Sequence, residues 1–210
     1  MSIVTLNDRG VRSVSAFGSL NTGSMFFIKK LTASSSSTLS FVNGASSVVL
    51  DSTYKEYVFT FKDIHPATNN VGFLFNMSVD TGSNYNVTKT TSSFGAYQNE
   101  AGNSTTLSYN TDNDLAQSTD FQPLAFYSTL SNDSDSSISG TLHLFNPSST
   151  TFVKHFTATA NSVHYDGSGN FDVNSYIAGY GNTTSAVDAV QFKYSSGNID
   201  AGDICLYGIL

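Results

Sequence analysis

Val71-Gly72-Phe73-Leu74-Phe75-Asn76-Met77-Ser78-Val79 decides the fold class. Phe73, Phe75 and Met77 stand one residue apart, so an extended chain puts all three on one face, whereas a helix would scatter them. Working outward, the same period recurs in Tyr54–Phe61: Tyr57, Phe59 and Phe61 alternate with Glu56, Thr60 and Lys62. Further strands are predicted at Met25–Leu31, Thr38–Val42, Ser92–Gln98, Phe121–Leu130, Ile138–Phe145, Thr151–Ala160, Tyr176–Tyr180, Val187–Tyr194 and Asp203–Ile209. Turn residues punctuate them: Asn43-Gly44, and Asn146-Pro147-Ser148-Ser149-Thr150, which reads as a hairpin turn. No window carries the period of an amphipathic helix. About ten short antiparallel strands predict an all-β chain, a single jelly-roll-like β-sandwich over residues 25–210.

Composition fits an exposed β protein. Ser, Thr and Asn make up about a third of the 210 residues, charged residues only 12%, against about a quarter in ordinary soluble proteins. Hydroxyls and amides are expected to cover the outer faces, with the 16 Phe and 11 Tyr concentrated inside. The net charge of −7 leaves no basic face for a phosphate backbone, which argues against nucleic-acid binding. Cys205 is the single cysteine, so no intramolecular disulfide forms, and its place in a strand predicts a small buried hydrophobe. Neither a secretion signal nor an apolar run long enough for a membrane helix is read in the chain, so synthesis in a cytoplasm without membrane insertion is expected.

Residues 1–24 differ from the rest. Asn7-Asp8-Arg9-Gly10-Val11-Arg12 holds both arginines, and Gly18–Ser24 is small and polar. This reads as an extended arm, either a disordered tail or an attachment segment in which Asn7, Asp8, Arg9, Val11 and Arg12 dock on a partner.

Catalytic chemistry finds little footing. Glycoside hydrolysis needs two carboxyl groups on facing positions. Glu56 and Glu100 are the only glutamates, while Asp112, Asp114, Asp133, Asp135 and Asp166 sit in turn-forming loops. The oxygen-rich Asp112-Asn113-Asp114 and Asn132-Asp133-Ser134-Asp135 lack the spacing of an EF-hand. His65, His143, His155 and His164 show no short metal-ligand spacing, although His143 and His155 would flank the Asn146-Pro147 turn. No cofactor, metal or catalytic residue is therefore expected. Sugar binding stays open, with Tyr85, Tyr97, Tyr109 and Tyr165, in or beside polar loops, as the glycan-facing aromatics.

Three stretches carry a resemblance: Leu144-Phe145-Asn146-Pro147-Ser148-Ser149-Thr150-Thr151-Phe152-Val153-Lys154-His155-Phe156, then Leu50–Phe59 with Ile64-His65-Pro66, and Gln191–Gly202. Over Ile28 to the C-terminus the chain resembles small virion proteins, tail-fibre-like or otherwise structural, of tailed phages of marine bacteria. The resemblance implies a non-enzymatic β-sandwich displayed on the virion as a symmetric homo-oligomer, a trimer favoured, in contact with other capsid or tail proteins. The short arm leaves room for a head-decoration or cement protein clipped on by residues 1–24. Loops around Asn110–Asp120, Asn132–Ser136 and Asp166–Asn170 would then face solvent or the host. The alternative is a carbohydrate-binding receptor module contacting host surface polysaccharide.

Overall fold

The computed structural model describes residues 24–165 and 169–210. Asn7, Asp8, Arg9, Val11 and Arg12, the arm's proposed docking residues, lie outside them, as do residues 166–168 and the side chain of Tyr165. No helix occurs among the described residues. Twelve strands follow in order: β1 (Met25–Thr32), β2 (Leu39–Val42), β3 (Glu56–Pro66), β4 (Phe73–Ser78), β5 (Lys89–Asn99), β6 (Thr105–Tyr109), β7 (Gln122–Pro123), β8 (Ile138–Phe145), β9 (Lys154–Tyr165), β10 (Asn170–Gly181), β11 (Ala189–Tyr194) and β12 (Ile199–Ile209).

They form an all-β sandwich of two antiparallel sheets: an eight-stranded one in the order β1-β12-β3-β8-β9-β10-β5-β6, and a four-stranded one in the order β2-β11-β4-β7. The hairpin pairs β5-β6 and β9-β10 all add to one side of the large sheet. Without them, the remaining strands run β1-β12-β3-β8 opposite β2-β11-β4-β7, so the first and last strands are neighbours.

The alternation read in Val71–Val79 and Tyr54–Phe61 places the core. Phe73, Phe75 and Met77 of β4 and Tyr57, Phe59 and Phe61 of β3 are all buried between the sheets. Their rings interlock with those of neighbouring strands: Phe41 meets Phe59 edge-on with centroids 5.3 Å apart, and Phe61 meets Phe73 at 5.4 Å. Such edge-to-face pairs are favoured by the ring quadrupole beyond the area they bury. The turn at Asn146 is present, with its φ of 46° in the left-handed region that asparagine tolerates.

The small sheet is half as wide as the large one, which leaves the inner face of β9, β10 and β5 to be covered otherwise. An irregular stretch between Asn110 and Leu130 covers it. This corrects the expectation of a long strand at Phe121–Leu130, of which only the two residues of β7 form a ladder. Leu124, Ala125, Phe126 and Leu130 are buried as in a strand. Leu124 N–H and Leu130 N–H still donate to the backbone carbonyls of Phe73 (2.8 Å) and Val71 (2.9 Å), but between them the backbone partners are side chains: Asn113 Nδ2 donates to the carbonyls of Ala125 (2.9 Å) and Phe126 (2.8 Å), and Phe126 N–H donates to Ser175 Oγ (2.7 Å). Amide and hydroxyl groups that satisfy the backbone locally compete with ladder formation. Cys205 also departs from expectation: it is half-buried and, in the ladder, stands between Lys30 and Thr60 on the outer face.

Candidate functional site

Among the described residues, the outer face of the large sheet carries a set of exposed large apolar side chains, Phe27, Phe94, Leu107, Tyr109 and Tyr176. Strand register lines up one residue per strand across it: Lys30, Cys205, Thr60, Thr141, Thr159, Tyr176, Phe94 and Tyr109. The middle of the row is hydroxyl, with Thr141 and Thr159 Oγ1 3.3 Å apart. One end is aromatic: Phe94 and Tyr176 stack nearly parallel, centroids 5.1 Å apart and 10° between planes, and Tyr109 follows on the edge strand. Leu107, 75% exposed, stands in the next row beyond Ala96. Beside Tyr176 lies a polar cluster in which Asn174 Nδ2 donates to Asp172 Oδ2 (3.1 Å) and Asn161 Nδ2 reaches Asn174 Oδ1 (3.3 Å). At the other end Phe27, 61% exposed, packs edge-on against Tyr207.

A second feature sits at the end of the interior, beyond the reach of the small sheet. Tyr97 of β5, Tyr127 of the irregular stretch, His164 of β9 and Phe171 of β10 line a cup of about 240 Å³. Their rings meet in a closed circuit: Tyr97–Tyr127 5.9 Å, Tyr127–His164 4.9 Å, His164–Phe171 6.1 Å and Phe171–Tyr97 5.3 Å between centroids. Thr129 fixes the imidazole through contacts of 3.0 and 3.1 Å to Nδ1. Burial pushes the Tyr127 hydroxyl above its ordinary range, so it stays a neutral donor.

The tyrosines expected to face a glycan do not share a surface. Tyr97 lines the interior cup, whereas Tyr109 stands on the outer face and donates to Asp114 Oδ2 (2.6 Å). Tyr85 lies before β5, its hydroxyl close to Gly82. The backbone of Tyr165 ends β9, while its side chain lies outside the described residues. Phe94 and Tyr176 on the outer face, and Tyr127 and Phe171 in the cup, are aromatic residues that the sequence pattern does not single out.

Of the loop carboxylates, Asp114 accepts from the Tyr109 hydroxyl (2.6 Å) and Asp133 from Ser131 Oγ (2.7 Å), while Asp112 is held through its backbone N–H by Asn110 Oδ1 (2.9 Å). No group of three or more His, Cys, Asp or Glu able to hold a metal occurs among the described residues. His143 and His155 do not face one another. His143 pairs across the hairpin with Thr157 and meets Glu56 Oε1 at 2.6 Å, while the ring of His155 lies 6.1 Å from that of Tyr180.

Comparison with protein-family models, curated proteins and solved structures found no match. Nothing in those comparisons identifies a phage family.

Proposed function

We propose that the protein is a non-enzymatic structural component of a phage virion, displayed on the particle surface and packed against further copies of itself and other particle proteins. The observation that carries this reading is the hydroxyl-rich row across the large sheet, ending in exposed Tyr176, Phe94 and Tyr109. A face with little charge and a few aromatic anchors is inexpensive to desolvate, which suits permanent subunit contacts. The strand order adds support. With β5-β6 and β9-β10 taken as inserted pairs, the orders β1-β12-β3-β8 and β2-β11-β4-β7 support reading the sandwich as a jelly roll, an architecture that serves in capsid and lectin domains. In this reading residues 1–24 are the anchor. Imaging labelled particles distinguishes head decoration from a tail-fibre position, and deletion of residues 1–24 is expected to abolish incorporation while leaving the sandwich folded. Full occupancy by the shortened protein would remove the anchor from the proposal; absence of the intact protein from purified particles would sink the whole of it.

A second reading, a module that binds host surface polysaccharide, draws on the aromatic cup. Rings with polar neighbours present apolar faces to sugar C–H groups and donors to their hydroxyls. Binding to the host polysaccharide that is lost in both Tyr97→Ala and Tyr127→Ala would favour it. Silence of the intact protein against that polysaccharide would leave the structural role alone, and new reducing ends would point to a depolymerising enzyme instead.

A further inference from the structure

Lys89, the first residue of β5, is fully buried, and so is Asn76 in the middle of β4. Lys89 belongs to the large sheet and Asn76 to the small one. The Lys89 ammonium nitrogen lies 2.6 Å from Asn76 Oδ1 and 2.8 Å from the Val87 carbonyl. The carboxamide is held from both ends: Met77 N–H donates to Oδ1 (2.8 Å), while Nδ2 donates to the carbonyls of Tyr85 (2.7 Å) and Thr119 (3.0 Å). We propose that Lys89 and Asn76 become joined by an isopeptide bond between Lys89 Nζ and Asn76 Cγ, with loss of one ammonia.

The nucleophile, the carbonyl and a donor to the oxyanion are in place. Burial pushes the Lys89 amine down to about 7, so a nucleophilic neutral form is accessible near neutral pH. Two N–H donors on Oδ1 polarise the carbonyl, and Met77 N–H remains to hold the oxyanion once the amine has added. The Nζ lone pair forms the new bond to Cγ, and the C=O pair moves onto Oδ1 and returns as the Cγ–Nδ2 bond breaks. One Nζ proton passes to the departing nitrogen, which leaves as ammonia. Nothing is oxidised or reduced, and no co-reactant is required. Holding amine and amide in contact, away from water, replaces a bimolecular encounter with a unimolecular step. The product would tie the two sheets together covalently, beneath the segment carrying Ser118 and Thr119. The inference does not depend on which particle or surface the protein serves.

The intact mass of the full-length protein, measured under denaturing conditions after incubation at mildly alkaline pH, tests it. The expected mass is that of the sequence less one ammonia, with a branched peptide joining the segments of Asn76 and Lys89 after proteolysis. Lys89→Arg, which keeps the charge and the donors, should fold with the unreduced mass. An intact chain at its full sequence mass overturns the proposal. So does a deficit that survives Lys89→Arg or maps to a succinimide at Asn43-Gly44.

Discussion

The ring of Phe126 occupies the place where a side chain at position 95 would stand: a β-carbon on Gly95 would fall 2.6 Å from two of its ring carbons and 2.7 Å from the Asn174 carbonyl. The irregular stretch is thereby seated on β5 and β10, reinforced by the bond from Phe126 N–H to Ser175. Gly95→Ala is expected to force the ring outward and destabilise the fold by about 1–3 kcal/mol, the usual cost of overpacking. Phe126→Ala should cost about 3–5 kcal/mol, mainly through the cavity it leaves. Urea unfolding of both variants measures this, and Gly95→Ala combined with Phe126→Ala should lose less than the sum of the two single changes, because removing the ring relieves its clash with the new methyl.

Phe75 and Phe156 join the two sheets directly, edge to face with centroids 5.0 Å apart and planes at 83°. Both are buried, and each comes from a different sheet. Phe75→Ala should therefore lower stability by about 3–5 kcal/mol. The midpoint of denaturant unfolding is expected to fall with little change in its slope, since the surface exposed on unfolding hardly alters.

The part of the fold legible in the sequence is the part built by alternation. In β3 and β4 large apolar residues take every second place, so period alone assigns strand and inner face. β5 inverts the pattern. Beyond Lys89 its buried residues are Thr91, Ser93 and Gly95, small because Phe126 and Gln122 press on them, while Phe94 points outward to stack on Tyr176. An apolar count would place Phe94 inside. The outer aromatic end thus escapes sequence reading, since it depends on strands far apart in the chain lying in register. Phe121–Leu130 misleads for the opposite reason. Leu124, Ala125, Phe126 and Leu130 are buried as a strand's residues would be, yet at Ala125 and Phe126 the partners of the backbone are the side chains of Asn113 and Ser175, from elsewhere in the sequence. The interior cup assembles from four separate segments, and only Tyr97 among its rings is singled out by a neighbouring polar loop.

Asp80 organises the turn after β4. It accepts from Ser78 Oγ (2.6 Å), Asn84 N–H (2.9 Å) and Asn84 Nδ2 (2.7 Å), and these bonds hold its carboxyl down at about 2 against an ordinary 3.8. A carboxyl depressed by folding adds stability that is fully present above the unfolded value and is lost as pH falls through the folded one. Thermal melting followed from pH 5 to pH 2 should show a decline between about 3.8 and about 2 that is smaller in Asp80→Asn. An identical decline in both proteins would assign the acid sensitivity to other carboxylates.

Tyr57 provides the matching test on the alkaline side. Its buried hydroxyl is clasped by a single residue, accepting from Asp51 N–H (3.0 Å) and donating to Asp51 C=O (3.0 Å), which fixes the chain just ahead of β3. Burial pushes the hydroxyl up to about 12 from an ordinary 10.0. The folded state therefore keeps a proton that the unfolded chain gives up between these values. The contribution of Tyr57 to stability is whole below pH 10 and declines as pH rises toward about 12. Tyr57→Phe removes both hydrogen bonds and strands the Asp51 backbone groups, so a loss of about 1–3 kcal/mol at neutral pH is expected. The variant should also lose the late-ionising step from the ultraviolet titration of the folded protein while keeping the earlier ones. Retention of that late step would assign it to Tyr194, whose hydroxyl is likewise raised by burial while donating to the Ile64 carbonyl (2.9 Å). Loss of the step together with the fall in stability would place both effects on the Asp51 clasp.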